Sequence, residues 1–223
     1  FYVERGVQFY HNENLGEVLS TDGVVTGIQL AGGRTLQASL VAIGVGAAAN
    51  VDLLVDQAVE LGGVVVNSHL QLPGYPEVAV VGDVATFPNA LYGGKLQRSE
   101  HVGQARQSAK FAAKAAVQGA TDPYSYLPYF YSRTFEYTQK SIVWQFWGTT
   151  TDATPVDFFV CKQAFGAFWI DGARRVVGAL LAGSPSPPTS DFDDVRALVE
   201  KQVVAPEDLE ELGLGFAWEI AKR

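Results

Sequence analysis

The spacing of apolar and polar residues changes several times along the chain, and each spacing predicts a different kind of structure. In residues 7–46, short apolar runs alternate with the turn pairs Asp22-Gly23 and Gly32-Gly33, which predicts a layer of β-strands joined by hairpins. The run LVAIGVG closes this layer as a further strand that ends in Gly44 and Gly46. Glycines at that point let the backbone approach a neighbouring chain or a ligand, or they simply turn the chain away from the sheet.

The centre of the chain switches from strand-like to helix-like spacing. The stretch GGVVVNSHLQLPGYPEVAVVGDVA predicts two short strands around a Pro73-Gly74 turn, the second of them the buried run VAVVG. From Glu100, alanine and valine recur at helical spacing in EHVGQARQSAKFAAKAAVQG, and Gly119 is placed to end the helix. Small residues on that helix face would allow close packing onto a sheet, as in layered α/β folds.

The region after the TDP sequence at 121–123 is rich in aromatic and β-branched residues. Two stretches, YSYLPYFYSRTFEYTQKSIVWQFWG and VDFFVCKQAFGAFWIDGARRVVGALLAG, predict an antiparallel sheet with a hairpin at Asp171-Gly172. The segment SPSPPTSD then predicts a linker, and residues 189–223 predict an acidic, helical tail.

Composition narrows the class of partner more than it narrows the fold. The 223 residues are 48% hydrophobic, which is enough for one large domain or two small ones with a real core. Sixteen basic and 24 acidic residues give a net charge of −8, which argues against nucleic acid or an anionic membrane, since both select basic surfaces. We therefore expect the partner to be a small molecule or another protein.

The candidate metal and redox residues do not form a recognisable site. Cys161 is the sole cysteine, so the chain forms neither an internal disulfide nor a dithiol pair, and a buried apolar role is the simpler interpretation. His11, His69 and His101 are far apart in sequence, so we expect no metal. No apolar run reaches the roughly 20 residues that cross a bilayer. The sequence starts at Phe1 and contains no methionine, which suggests a fragment or a processed piece.

An aspartate follows the apolar run VAVVG and is the first residue with candidate chemistry. A carboxylate at the end of a buried strand destabilises the fold unless it is hydrogen-bonded, so we expect a polar partner beside Asp83. In doubly wound sheets, ligands bind beyond the carboxyl ends of strands, where a carboxylate can accept hydrogen bonds from the sugar-like hydroxyls of a nucleotide cofactor. The alternative is that Asp83 caps a turn through its own backbone.

Five motifs occur in a fixed order along the chain: VVGDVATFP, EHVGQARQSA, YLPYFYSRTF, WQFWG and FGAFWI. Together they resemble the monodehydroascorbate reductase family over residues 1–183; these are FAD enzymes with the glutathione-reductase-like α/β fold of two dinucleotide-binding domains. The resemblance implies that 1–47 is the end of an NADH-binding domain and 48–120 the returning half of an FAD-binding domain. It further implies a C-terminal α+β interface domain with an antiparallel sheet at 121–183, followed by a linker and acidic tail at 184–223.

The resemblance also implies which residues contact the cofactor. Gly82 and Asp83 match the segment whose aspartate holds the flavin ribityl chain. Glu100, His101 and Val102 match the EHV sequence at the helix start beside the isoalloxazine ring. A helix N-terminus offers free N–H groups and a positive dipole to an electron-rich ring edge, which agrees with this assignment. Glu100 has the alternative of being an ordinary acidic residue of the first helical turn.

Two residues are implied as contacts of the organic substrate, and no catalytic side chain is assigned because the flavin carries the chemistry. Arg133 matches the arginine that meets the anionic substrate, and a guanidinium suits a planar, delocalised anion; a structural stacking role is the alternative. Phe168 stands where the family usually has Tyr, and Trp147 also replaces a family Tyr. Gly44 and Gly46 complete the candidate cofactor contacts.

The implied function is transfer of electrons from NADH or NADPH through FAD to the monodehydroascorbate radical, which regenerates ascorbate. The expected compartment is the cytoplasm, with a plastid or another organelle as the alternative. No G-x-G-x-x-G phosphate loop occurs, so this chain alone should bind FAD and NADH poorly and be inactive. A ferredoxin or rubredoxin reductase is the alternative enzyme, and an apoptosis-inducing-factor-like flavoprotein or a non-catalytic remnant is the alternative outside catalysis.

Overall fold

The chain folds into two compact units, Phe1–Ala48 and Ala49–Arg223. The computed structural model describes residues 2–54, 56–119, 122–138, 141–161, with only the backbone of Cys161, and 164–222. Each unit has its own sheets, and the second unit holds nearly all of the buried residues.

The first unit is a three-stranded antiparallel sheet. Its strands are β1 Leu15–Thr21, β2 Val24–Leu30 and β3 Thr35–Gln37, in the order β1-β2-β3. Asp22 and Gly23 join the first two strands, and both adopt the left-handed backbone conformation of a tight hairpin turn, with φ of 51° and 77°. The hairpin predicted at this turn pair is confirmed.

Strands predicted on either side of this sheet are absent. Residues 7–14 and 38–50 form no β-structure, and the apolar side chains of the second segment are largely exposed, Val45 by 88%. An extended segment becomes a strand only when another strand accepts its backbone hydrogen bonds, and no described strand pairs with either segment. The prediction of a strand that ends at Gly44 and Gly46 is therefore wrong.

The first part of the second unit combines a four-stranded sheet with a small hairpin. Its strands are β4 Val59–Glu60, β5 Gly63–Val65, β6 Gln71–Leu72, β7 Tyr75–Ala79, β8 Ala85–Asn89 and β9 Lys95–Gln97. The sheet has the order β4-β5-β8-β9 with β5 parallel to β8, while β6 pairs with β7 across the predicted Pro73-Gly74 turn. Val64 and Phe87 lie at the centre of its core, together with Tyr124 and Tyr126 from later in the chain.

The run VAVVG is less buried than its composition predicts. Strand β7 ends at Ala79 and is exposed along its length, so that only Val80 and Gly82 of the run are buried. Since every residue of β7 is exposed, no layer of described residues covers it. The prediction of a buried strand that leads directly to Asp83 is wrong; the aspartate occupies an exposed position in the 3₁₀ turn Gly82–Val84.

Helix α1, Val102–Gln118, is the helix that the alanine spacing predicts, with His101 as its N-cap and Gly119 at its end. Its packed face differs from the prediction, because the buried residues are Gln104 and Ser108, while none of the six alanines is buried and three of them are exposed. Within the described chain no sheet covers the alanine face. The helix is therefore correct and the expected packing of its alanines is wrong.

A five-stranded antiparallel sheet forms the C-terminal region, as the aromatic and β-branched stretches predict. Its strands are β10 Tyr129–Thr134, β11 Ile142–Gly148, β12 Ala153–Cys161, β13 Ala164–Asp171 and β14 Val176–Gly183, in the order β10-β11-β14-β13-β12. Helices α2 Thr189–Glu200, α3 Leu209–Leu212 and α4 Leu214–Ala221 pack against it. The acidic C-terminal segment is helical, as predicted, and its apolar side chains share one core with Trp147, Phe158 and Phe168.

The turn between β13 and β14 is closed by Asp171, where a hairpin was predicted. Its carboxylate accepts hydrogen bonds from the backbone N–H of Ala173 at 3.0 Å and of Arg175 at 2.8 Å, and it pairs with the Arg175 guanidinium at 2.7 Å. Burial raises the pKa of Asp171, but the hydrogen bonds and the charge of Arg175 outweigh burial and lower the pKa below its usual value.

This lowered pKa makes the hairpin sensitive to acid. A carboxyl group with a depressed folded-state pKa contributes stability above its unfolded-state pKa, and that contribution is lost as the pH falls through the folded-state pKa. We expect Asp171→Asn to lower Tm at pH 7 by about 2–5 °C and the difference from wild type to shrink below about pH 4. Thermal unfolding at pH 7 and pH 3 measures this, with the exposed Asp157 changed to Asn as the control. A difference that stays constant with pH would contradict it.

Candidate functional site

Asp83 lies on a short turn that is held from two sides. Gly82 has a left-handed φ of 77°, and its N–H donates to the Ser108 hydroxyl of α1 at 3.0 Å. The carbonyl oxygen of Asp83 accepts a hydrogen bond from Arg98 at 3.0 Å. The Asp83 carboxylate is exposed, does not cap the turn and makes no hydrogen bond to a described residue. The backbone of Asp83 is therefore held in position, and its carboxylate is available to accept hydrogen bonds from a ligand.

The start of α1 is capped by the imidazole of His101. Its Nδ1 accepts a hydrogen bond from the Gly103 N–H at 3.0 Å, which assigns the proton of the neutral ring to Nε2. The ring meets Tyr129 and Phe130 edge to face, with centroids 5.5 and 6.3 Å away. Val102, the first helical residue, is exposed. The helix start thus presents backbone N–H groups beside aromatic side chains.

Arg98 joins these two segments, although no motif in the sequence points to it. Its Nε donates to the Leu61 carbonyl at 2.6 Å, and its Nη2 pairs with the Glu100 carboxylate at 2.7 Å, in addition to its bond to Asp83. Only 16% of the Arg98 side chain is exposed. Glu100 is ion-paired ahead of the N-cap, so it is not a residue of the first helical turn. In the sequence, Arg98 is marked only as the one basic residue of QRSEHV, and its hydrogen-bond partner Leu61 lies 37 residues earlier in the chain.

One face of strand β10 carries aromatic residues and Arg133. Tyr129 and Tyr131 stack with their centroids 5.9 Å apart, and Arg133 continues the same face, ion-paired with Glu136 at 3.3 Å. A strand rises about 3.3 Å per residue, so Arg133 lies roughly 13 Å along β10 from Tyr129, the residue that contacts His101. The structure thus brings Asp83, Glu100, His101 and Val102 together and places Arg133 at the other end of the adjoining strand.

Three residues of the predicted site lie elsewhere. Phe168 has no exposed surface and stacks on Phe158, with centroids 4.6 Å apart, in the C-terminal core. A fully buried ring offers no surface to a substrate, so we leave it out of the proposed site. Gly44 and Gly46 belong to the first unit, where no described atom lies within 4 Å of the position that their Cβ atoms would take. No close backbone approach occurs at either glycine within that unit.

Three buried polar side chains around α1 have no hydrogen-bond partner among the described residues: Gln104, Tyr124 and Tyr126. Such groups are rare, because each unsatisfied buried group destabilises a protein by about 1–3 kcal/mol. A Cβ atom placed on Gly103 would lie 3.5 Å from the Tyr126 hydroxyl, which puts this hydroxyl beside the helix start. An orphaned hydroxyl next to free N–H groups fits a site that takes a hydrogen-bonding ring.

No three His, Cys, Asp or Glu side chains converge as metal ligands in the part of the chain that the structure describes. None of the described helices combines the length and apolar character needed to cross a membrane.

Models of known families match both parts of the chain. The model for pyridine nucleotide-disulphide oxidoreductases matches residues 2–119, more than half of the 223 residues. The chain belongs to the pyridine nucleotide-disulphide oxidoreductase family. A second model, the C-terminal domain of monodehydroascorbate reductase 3-like proteins, matches residues 127–217. The resemblance based on the five motifs is confirmed.

Individual relatives agree with both matches. The peroxisomal monodehydroascorbate reductase 1 of Oryza sativa subsp. japonica is 38% identical over 97% of this chain and 46% of its own length. The monodehydroascorbate reductase of Pisum sativum is 36% identical over 99% of this chain and 51% of its own. The chain therefore spans about half the length of the curated relatives it matches.

The solved structure of a ferredoxin reductase from Rhodopseudomonas palustris matches the fold. It superposes with a TM-score of 0.78 over 97% of this chain and 52% of its own, at 24% identity. At that identity the likeness shows the fold alone. The predicted fold class, part of a two-dinucleotide-binding α/β flavoprotein followed by a C-terminal domain with an antiparallel sheet, is confirmed.

Proposed function

We propose that the complete protein is an FAD-dependent oxidoreductase that passes electrons from NADH or NADPH through FAD to the monodehydroascorbate radical and so regenerates ascorbate. The observation that carries this proposal is the match of residues 127–217 to the monodehydroascorbate reductase 3-like C-terminal domain. Relatives at 36–38% identity are named monodehydroascorbate reductases. The ferredoxin reductase shares the fold at only 24% identity, so the alternative function as a ferredoxin or rubredoxin reductase has weaker support.

When bound, FAD supplies the redox chemistry, since it accepts a hydride and releases electrons singly. The residues of this chain would hold and orient it. Asp83, next to Gly82, would accept hydrogen bonds from the ribityl hydroxyls. Glu100, His101 and Val102 would place the N–H groups and positive dipole of the α1 start at the ring edge. The held turn, the available carboxylate and the unpartnered side chains of Gln104 and Tyr126 at the helix start support this assignment.

We propose the same division of the chain that the resemblance implies. Residues 1–47 would end the NADH-binding domain, 48–120 would complete the FAD-binding domain, 121–183 would form the interface domain, and 184–223 would follow as linker and tail. The boundary between units after Ala48 and the interval between the two family models support the first two limits. The second model continues through the helical tail, which favours including that tail in the interface domain.

The compartment we propose is the cytoplasm. Relatives at similar identity are named as peroxisomal and as chloroplastic or mitochondrial, so the organelle alternative has support from the names of relatives. Contact of Gly44 and Gly46 with the cofactor remains a prediction for the complete protein.

Arg133 is the proposed contact of the anionic radical. Its side chain is 58% exposed and borders a cleft of about 350 Å³. The net charge of −8 would repel an anion, so a local cation is needed where electrons leave the flavin. Solvent screens this exposed guanidinium, and the Glu136 carboxylate competes with the substrate for it. We therefore expect the loss of substrate binding on removing Arg133 to be at the low end of the range for a hydrogen bond to a charged group.

We expect Arg133→Ala in the complete enzyme to lower kcat/KM for the monodehydroascorbate radical about tenfold. NADH oxidation with an uncharged artificial acceptor should barely change. Lys95→Ala is the matched control, because the Lys95 side chain is 69% exposed and pairs with Asp152 outside the proposed site. Equal losses with both acceptors would mean that Arg133 supports the fold or the flavin. A wild-type enzyme that reduces the artificial acceptor but not the radical would overturn the proposed substrate.

A further inference from the structure

Tyr126 is one of the most buried side chains of the protein, and its backbone is held firmly. The residue is 2% exposed. Its N–H donates to Oδ1 of Asn89 at 3.1 Å, and its carbonyl accepts from Nδ2 of the same side chain at 2.6 Å. Asn89 is itself fully buried and also accepts a hydrogen bond from the Leu91 N–H at 3.1 Å. The backbone of Tyr126 is thus held by an asparagine 37 residues earlier in the chain.

The hydroxyl of Tyr126 faces the first turn of α1. It would lie 3.5 Å from a Cβ atom on Gly103, and the same Cβ would lie 3.0 Å from Nδ1 of His101. Glycine at this position therefore allows the hydroxyl and the capping imidazole to approach the same turn. Tyr126 also borders a cleft of about 400 Å³ that is lined in part by Gly103 and Gln107 of α1.

Several donors surround this hydroxyl without satisfying it. Burial raises the pKa of Tyr126, while the Ser99 hydroxyl and the backbone N–H groups of Tyr129 and Gln104 lower it. None of them makes a hydrogen bond of normal geometry with it. The side chain of Gln104, in the same turn, is fully buried and equally unpartnered. Hydrogen bonds at functional sites are often long without ligand and tighten in the complex.

The backbone N–H groups at the start of α1 have different acceptors. The His101 imidazole accepts the hydrogen bond of the Gly103 N–H, and the Tyr126 hydroxyl lies beside the same first turn. The N–H of the exposed Val102 is left for a ligand. We propose that Tyr126 is a positioning residue of the flavin site, whose hydroxyl closes its hydrogen bonds to the first turn of α1 only when FAD is bound and so fixes the Val102 N–H against the ring. This inference rests on the proposed function.

Tyr124 provides a matched control. Its hydroxyl is also buried and unpartnered, and the residue is 3% exposed. Its ring, however, packs between Phe87 and Phe111, with centroids 5.0 and 5.1 Å away, rather than against the helix start. Changing Tyr124 to Phe therefore removes the same group from the same core without touching the proposed site.

The test compares the complete wild-type protein with Tyr126→Phe and Tyr124→Phe, each without and with FAD. Without FAD, both variants should raise Tm by about 2–4 °C, because each removes an unsatisfied buried hydroxyl. With FAD, Tyr126→Phe should bind FAD about fivefold more weakly and show a smaller FAD-induced rise in Tm. It should also shift the midpoint potential of the flavin. Tyr124→Phe should match wild type in all three FAD-dependent quantities.

Each other outcome has a defined meaning. A lower Tm of FAD-free Tyr126→Phe would show that the hydroxyl is already hydrogen-bonded in the absence of FAD. Equal FAD affinity and flavin potential in Tyr126→Phe and wild type would show that the hydroxyl has no positioning role. Either result overturns this inference and leaves the proposed function standing. Equal losses in both variants would make the effect purely structural and also overturn it. Ser99→Ala removes the hydroxyl that lowers the pKa of Tyr126 and should also weaken FAD binding, so this variant provides the test if Tyr126→Phe does not fold. A wild-type protein that binds no FAD overturns the proposed function and this inference with it.

Discussion

Phe168→Ala is expected to lower the free energy of unfolding by about 3–5 kcal/mol, the largest effect that we expect from a single substitution. The Phe168 ring has no exposed surface and stacks on Phe158 at 4.6 Å. It lies in a core that joins the five-stranded sheet to the C-terminal helices through residues such as Leu181 and Leu198. Removing the ring leaves a cavity in this core, into which the surrounding side chains relax only partly.

Denaturant titration of the complete protein measures this loss. Phe159→Ala is the matched control, because Phe159 lies on the neighbouring strand β12 and is 83% exposed. We expect that change to stay within about 0.5 kcal/mol. Similar losses for the two variants would contradict the assignment of Phe168 to the core and would reopen its predicted contact with substrate.

Asp83→Ala in the complete protein is expected to weaken FAD binding about 10- to 150-fold, the worth of a hydrogen bond to a charged group. The carboxylate is exposed on a turn that is held by the Gly82 bond to Ser108 and by Arg98. Those contacts use the backbone of the turn, so the alanine variant keeps them and loses only the acceptor. Its Tm without FAD should therefore stay close to that of wild type.

Flavin content after purification and titration of the apoprotein with FAD measure this effect. Asp157→Ala removes an exposed aspartate from β12, outside the proposed site, and should leave both quantities unchanged. Normal flavin content in Asp83→Ala would exclude Asp83 from the site. A variant that loses flavin and also unfolds at a much lower temperature would instead assign Asp83 a structural role.

Part of the candidate site could be predicted from the sequence, because its residues lie in short motifs that follow one another in a fixed order. The motifs containing Asp83 and the EHV sequence at 100–102 are 17 residues apart, and the structure joins them through Arg98 and through the Gly82 bond to Ser108. Neither linking contact has a sequence pattern of its own. Tyr126 was missed for the same reason, since its backbone is held by Asn89, which no local motif connects to it.

The sequence by itself determined the features that depend on neighbouring residues. The left-handed turn at Asp22-Gly23, the hairpin closed by Asp171 and the extent of α1 from its cap at His101 to Gly119 all follow from local backbone preferences and local hydrogen bonds. The high density of aromatic and β-branched residues likewise determined the antiparallel C-terminal sheet. These features need only residues close in the chain or a general preference for a pleated surface.

Only the tertiary structure decided which faces are buried. The alanine face of α1 and the apolar run at 40–46 looked like core, but none of their residues is buried, while Phe168 looked like a substrate contact and is buried. Composition shows that a segment can be buried, but burial requires a second layer that covers it, and strand pairing requires a partner that accepts its hydrogen bonds. The same dependence on distant partners left the Asp83 carboxylate exposed and the Tyr126 hydroxyl enclosed.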